Sequence, residues 1–216
     1  MAPSPYSCAC AFASSRGTSR DAAGVWERDD VLVALLADGG GGLRDGAAAS
    51  RSLLAVVRDA VNDSALALDK AQSWLDLFNA TDVALAANRA GETTAVLIAL
   101  GPWGLLGLSI GDSEAWVVTP EGIDNLTISQ HTGDRLGTKR GSVVMFERST
   151  LSGMLVLASG GLFKYASTQI IAGVVRDSTL GQSAQQLVEL VRQRSGKVAE
   201  DVAVVCVQRR APAGVA

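Results

Sequence analysis

Apolar positions follow two rhythms along this chain, one with the period of a strand and one with the period of a helix. Residues 6–13 form a small apolar run between Pro5 and the polar stretch 14–20, and they read as a strand. Residues 14–21 are a polar turn, and Ala22–Trp26 reads as a second short strand ending in the charged hairpin tip 27–30. Val31–Ala37 is apolar without interruption, as expected of a central strand covered on both faces. The glycines at 39–42 cannot continue it, because ordering four of them costs too much backbone entropy. Over 46–61 the positions of Leu53, Leu54, Val57 and Val61 predict a helix. A second helical region spans 65–90, with Leu68, Trp74, Leu75, Phe78 and Leu85 as core candidates. Beyond Gly91 the period shortens. Strands are predicted over 93–100, 103–110, 114–119 and 122–129, with tight turns at Gly101-Pro102 and Gly111-Asp112-Ser113. After a polar, irregular segment at 130–140, strands follow at 142–147 and 154–158. Gly160-Gly161 breaks the chain, helices cover 168–175 and 183–194, and a last strand covers 201–208. Runs of strands separated by runs of helices imply an α+β layered fold with mainly antiparallel sheets. No linker, repeat or low-complexity tract interrupts residues 1–216, so one domain is expected.

Composition narrows the class. Of the 216 residues, 48% are hydrophobic and 19% charged, which excludes an intrinsically disordered chain. The formal net charge is −3, so the basic excess of a nucleic-acid binder is missing. Three cysteines are too few and too odd for a disulfide scaffold. Cys8 and Cys10 share one strand face, and together with Cys206 they read as small buried hydrophobes. No run reaches the roughly 18–20 apolar residues of a membrane span. The N-terminus lacks the basic start of a secretory signal, so a cytoplasmic protein with reduced thiols is expected.

The candidate chemistry lies at strand ends. His131 is the only histidine, with nothing near it to complete a triad or a histidine-rich metal site, and it reads as a structural or surface residue. The glycine run is no phosphate loop, because no Gly-Lys-Ser/Thr follows and Asp38 would repel a phosphate. The Asp38 carboxylate and the following carbonyl are instead hard oxygen donors suited to Mg²⁺ or Mn²⁺. Asp21, Asp112 and the Glu200-Asp201 pair also border strands. Any one of them could be a turn-former, but their joint placement suggests a shared acidic pocket.

Five segments carry a family resemblance. Leu36-Ala37-Asp38-Gly39-Gly40-Gly41-Gly42 resembles the Asp-Gly-x-Gly-Gly signature of the metal-dependent (type 2C, PPM-type) Ser/Thr protein phosphatases. Gly91-Glu92-Thr93-Thr94-Ala95-Val96 is similar to that family's Thr-Thr-Ala strand start, and Ser109-Ile110-Gly111-Asp112-Ser113-Glu114-Ala115 to its Val-Gly-Asp-Ser-Arg-Ala hairpin. Leu155-Val156-Leu157-Ala158-Ser159-Gly160-Gly161-Leu162 resembles Leu-Leu-Leu-Ala-Ser-Asp-Gly-Leu. Glu200-Asp201-Val202-Ala203-Val204-Val205 looks like the closing Asp-Asn/Asp-Ile-Thr-Val-Val strand. The segments occur in family order.

The resemblance implies a four-layer α-β-β-α sandwich with two central antiparallel sheets and a metal centre at one end. It implies Mn²⁺ or Mg²⁺, two or three ions, with Asp21, Asp38, Gly39, Asp112 and Glu200 as ligands. Asp38 would bridge two of the ions, and Asp21 and Asp112 would hold or orient a third or its waters. A metal-bound water would attack phosphoserine or phosphothreonine. Arg20, or Arg16, would pair with the phosphate. The partner would be a phosphorylated protein, a Ser/Thr kinase among the candidates, with no nucleic acid and no membrane. The departures support a second expectation. Gly160 stands where the family has a ligand Asp, Glu200 is one methylene longer than the final Asp, and Gly40 stands where some members carry a histidine. Strand alternation sends Asp201 to the face opposite Glu200 unless the strand start bulges. A catalytically impaired phosphatase-like protein that binds a phosphoprotein or kinase is therefore the alternative.

Overall fold

The computed structural model describes residues 4–15, 17–40, 46–193 and 195–210. The run Val31–Asp38 forms β3, and its place in the fold explains its composition. It lies between β2 (Asp21–Arg28) and β4 (Ala95–Gly101), antiparallel to both. Val33, Leu35 and Ala37 point to a layer of helices, while Leu32, Ala34 and Leu36 point to a second sheet. All six are fully buried, so neither face has a polar position.

The first sheet has the order β2-β3-β4-β5-β8, with β5 at Gly104–Ile110 and β8 at Val144–Arg148. The second has the order β1-β10-β9-β6-β7, built from Tyr6–Ala13, Val202–Arg209, Met154–Ala158, Glu114–Val118 and Ile123–Asn125. Every pairing is antiparallel. Helices α1 (Gly46–Asn62) and α2 (Ala71–Asn88) bury Leu53, Val57, Trp74 and Phe78 against the first sheet. Helices α3 (Gly160–Tyr165), α4 (Thr168–Asp177) and α5 (Leu180–Glu189) bury Leu162, Ile171 and Leu187 against the second. The result is the expected four-layer α-β-β-α sandwich.

Several local expectations differ from the structure. The helix expected over 183–194 runs from Leu180 to Glu189, opened by the Thr179–Gln182 capping box. Glu27 and Arg28 belong to β2, and the hairpin turns at Asp29, whose φ is 57°. The helix expected from 65 starts at Ala71, because the indole Nε1–H of Trp74 donates to the Leu68 carbonyl (3.1 Å) and Leu68 is already committed to the core in a turn. The strand expected over 122–129 stops at Asn125, whose Oδ1 accepts from the Thr127 N–H (2.9 Å) and turns the chain. Gly160-Gly161 opens α3 instead of breaking the chain. A Cβ on Gly161 would sit 2.8 Å from Val202 Cγ2 and 2.9 Å from the Asp201 carbonyl oxygen, so the glycine allows β10 to approach closely.

Cys206 is buried as expected, but Cys8 and Cys10 are exposed, because β1 is an edge strand and their face is not fully covered. All three thiols are free. His131 is exposed. Among the described residues no helix is long and apolar enough to cross a membrane.

Candidate active site

The sandwich brings several strand ends together at one end. Asp21 opens β2 and Asp38 closes β3, and strand register places them directly opposite one another. Asp112 caps the β5–β6 hairpin, where Gly111 has a φ of 100°, a conformation other residues rarely adopt. Gly160 starts α3 after β9, and Glu200 and Asp201 lead into β10. Arg20, Asp38, Gly39, Asp112, Gly160 and Glu200 all line one cleft of about 880 Å³. Asp21 lies beneath it, 6% exposed.

Backbone contacts fix Asp38. Its carbonyl accepts from the Thr94 N–H (2.9 Å) and from the Thr93 hydroxyl (2.9 Å), which gives the Thr-Thr pair its role. Gly39 has no room for a side chain, since a Cβ there would lie 2.4 Å from the Gly46 carbonyl oxygen. Arg20 is held by its backbone. Its N–H donates to Asp201 Oδ2 (2.9 Å), and its carbonyl accepts from the Ser50 hydroxyl (2.6 Å). Its buried Nε has no hydrogen-bond partner and lies 3.8 Å from Asp201 Oδ2. Arg16, the other candidate cation, falls outside the described residues, as do Gly41 and Gly42.

Asp201 corrects the alternation argument. β10 begins one residue later, at Val202, so Glu200 and Asp201 precede the strand and both reach the cleft. The Asp201 carboxylate accepts from the Ser14 hydroxyl, the Ser15 N–H and hydroxyl, and the Arg20 N–H. Burial alone would raise its pKa, but these hydrogen bonds hold it below the usual carboxylate value. Its oxygens serve the scaffold.

Three cleft residues carried no signal in the sequence. Arg135 Nη1 lies 3.8 Å from Asp112 Oδ1. It sits in the irregular 130–140 segment, which is pinned by reciprocal bonds between Thr93 and Leu136 (3.1 and 2.9 Å) and by Asp82 accepting from the Gly137 N–H (2.6 Å). Lys164 pairs with Glu200, and the Tyr165 hydroxyl lies 3.5 Å from the same carboxylate oxygen. Glu114 accepts from the Trp116 indole (2.6 Å) and from the Asn125 amide (2.8 Å).

The donor set can be tested against a divalent cation. Among the described residues, both carboxyl oxygens of Asp21 and one of Asp112 are buried without a hydrogen-bond partner. Buried acceptors in that state are costly unless a cation or proton completes them. Burial raises the pKa of Asp21, and the Asp38 charge adds to it. Burial likewise raises Asp38, with the facing Asp21 side chain opposing, Asp112 adding, and Arg135 and Arg20 opposing. Among the described residues, no three His, Cys, Asp or Glu side chains converge as a ready-made metal cage. Small hard cations commonly take one or two carboxylates and complete their shell with water and substrate phosphate. The facing Asp21–Asp38 pair, with the Gly39 carbonyl next in the chain, fits one such ion. The cleft does not fit two, because position 160 has no side chain, Glu200 is paired with Lys164, and Asp201 is fully engaged.

No protein-family model matches the sequence, and no curated protein does. Solved structures match its fold. A serine/threonine phosphatase from S. agalactiae superposes with a TM-score of 0.81 at 20% identity, covering 95% of this chain and all of that one. The Staphylococcus aureus serine/threonine phosphatase Stp1 gives 0.79 at 18% identity, covering 95% of each chain. The catalytic domain of the phosphatase PstP, solved with two manganese ions, gives 0.74 at 21% identity, covering 94% of this chain and 97% of that one. With both sheets, their helical covers and almost the whole length superposed, this chain has the fold of the bacterial serine/threonine phosphatases.

Proposed function

We propose that residues 1–216 form a single metal-dependent protein serine/threonine phosphatase domain that hydrolyses phosphoserine and phosphothreonine. The carrying observation is the facing Asp21–Asp38 pair: the Asp21 oxygens are buried without a hydrogen-bond partner among the described residues, and Asp38, half-buried, lines the open cleft. Asp38, with Asp21, Asp112 and the Gly39 carbonyl beside it, would hold Mn²⁺ or Mg²⁺. When bound, such an ion neutralises phosphoryl oxygens and makes water acidic enough to attack at neutral pH. The chain's own residues supply the remainder. Arg20 binds the phosphoryl group, because its Nε makes no hydrogen bond among the described residues and its backbone is anchored at both N–H and carbonyl. The substrate is a phosphorylated protein, with a Ser/Thr kinase among the candidates. A cytoplasmic setting, where thiols stay reduced, belongs to the same proposal and suits the three free cysteines.

One observation favours a second reading. The side chain missing at Gly160 and the Lys164–Glu200 pair weaken the metal centre, which suits an impaired phosphatase that binds a phosphoprotein without turnover. Phosphate release from a phosphopeptide separates the two. The first reading expects release with Mn²⁺, none in EDTA, and a loss of at least about 100-fold in Asp38→Ala, given that even outer contacts of a metal site are worth about 10–100-fold. Binding of the phosphopeptide without release supports the second reading. Release that persists in EDTA overturns the metal chemistry of both.

A further inference from the structure

We propose that the Lys164 ammonium is a built-in counter-ion that stands in for a second divalent cation, so that the cleft takes one Mn²⁺. This rests on the reading of the cleft as a metal-dependent phosphatase site and specifies its charge balance. Three observations carry it. Lys164 follows Gly160 by four residues on α3, so it lies one turn further along the same helix face. The helix that presents no acid at its first residue thus presents a cation to the same cleft. That cation is bonded to Glu200, with the Tyr165 hydroxyl at 3.5 Å from the same oxygen and the Tyr165 ring centroid 5.3 Å from Lys164 Nζ. The space beside Gly160 is also taken. A Cβ there would lie 2.9 Å from both Cγ and Oδ2 of Asp112, so Asp112 occupies the room an acid at position 160 would need.

A second ion would therefore find Glu200 neutralised, position 160 without a ligand, and Asp201 engaged by Ser14, Ser15 and Arg20. The first ion keeps the facing Asp21–Asp38 pair of β2 and β3, to which Lys164 is not bonded. The Lys164–Glu200 pair is largely exposed and individually weak, as surface ion pairs are. Its effect is to cancel the charge of Glu200.

Calorimetric titration of the intact protein with Mn²⁺, cross-checked by the electron paramagnetic resonance signal of free Mn²⁺, counts ions without reference to turnover. Wild type is expected to bind one. Lys164→Met still binds one, with a dissociation constant lowered about two- to fivefold, the worth of an exposed ion pair. Gly160→Asp combined with Lys164→Met binds two. Two ions or none in wild type overturn the proposal, and so does a double variant that folds, judged by its melting temperature, but still binds one. If wild type binds one ion and releases no phosphate, the phosphatase reading fails while this inference stands.

Discussion

Replacing Asp21 with asparagine keeps the side chain's size and removes its charge. The residue is 6% exposed, and neither carboxyl oxygen has a hydrogen-bond partner among the described residues. Leaving a buried polar group unsatisfied costs about 1–3 kcal/mol, and more when it is charged. The asparagine amide can donate to the facing Asp38 carboxylate, so the metal-free variant is expected to gain stability of that order at slightly alkaline pH. For a chain of this length, each kcal/mol moves the melting temperature by about 2–4 °C. The pH dependence has a definite sign. Burial and the Asp38 charge raise the folded pKa of Asp21 above its unfolded value. The folded state therefore holds more protons, and stability is fully present near pH 4 and is lost as pH rises through the folded pKa. Metal-free wild type should melt at lower temperature at about pH 8 than at about pH 5, and Asp21→Asn should flatten that slope. With Mn²⁺ at about 100 times its dissociation constant, wild type should gain about 2.7 kcal/mol. The variant should gain less. Scanning calorimetry in EDTA and in Mn²⁺ measures all of this. Equal pH slopes in the two proteins, or a variant less stable than wild type at alkaline pH in EDTA, would refute the assignment of Asp21 as an uncompensated buried acid.

Asp201→Asn turns an amide nitrogen toward the Arg20 N–H or the Ser15 donors, and should cost about 1–3 kcal/mol in urea denaturation at neutral pH. Because hydrogen bonds overcome burial to lower the Asp201 pKa, its contribution is present above the ordinary carboxylate value and is lost as pH falls through the folded one. The difference between the proteins should shrink in acid, and a constant difference argues against the hydrogen-bond account. Gly160→Asp brings a second carboxylate against Asp112 and should lower the melting temperature in EDTA by the equivalent of about 1–3 kcal/mol, with Mn²⁺ restoring part of it. An unchanged melting temperature in EDTA would show that Asp112 yields freely.

The layers were legible because burial on two faces leaves a periodic signature. Val31–Asp38 has to be apolar at every position only if something covers each side, and the first sheet is covered by helices and by the second sheet. Helix α1 was readable from Leu53, Val57 and Val61 for the same reason. The illegible elements are those set by contacts distant in sequence. Two glycines look like a stop, yet at 160 and 161 they open a helix, because β10 and Asp112 press against them. The start of α2 depends on one indole hydrogen bond to Leu68, a contact with no periodic trace.

The site divides along the same line. Asp21, Asp38 and Asp112 can be read from sequence because each sits where a strand ends, and a sandwich gathers strand ends at one rim. What the pattern cannot show is charge compensation, since it depends on which side chains meet across loops. Arg135 reaches Asp112 only because Leu136 is pinned to Thr93 and Gly137 to Asp82. Lys164 reaches Glu200 only because α3 begins at the two glycines that the sequence pattern marks as a break. The two walls consequently differ. Among the described residues no ammonium or guanidinium is bonded to the facing carboxyls of Asp21 and Asp38, and burial raises the pKa of both. Glu200 faces a lysine. A cleft asymmetric in this way draws a cation to the Asp21–Asp38 wall and leaves the other wall neutralised at Glu200, while Arg20, which lines the same cleft, is the cation placed to meet a phosphoryl group held there.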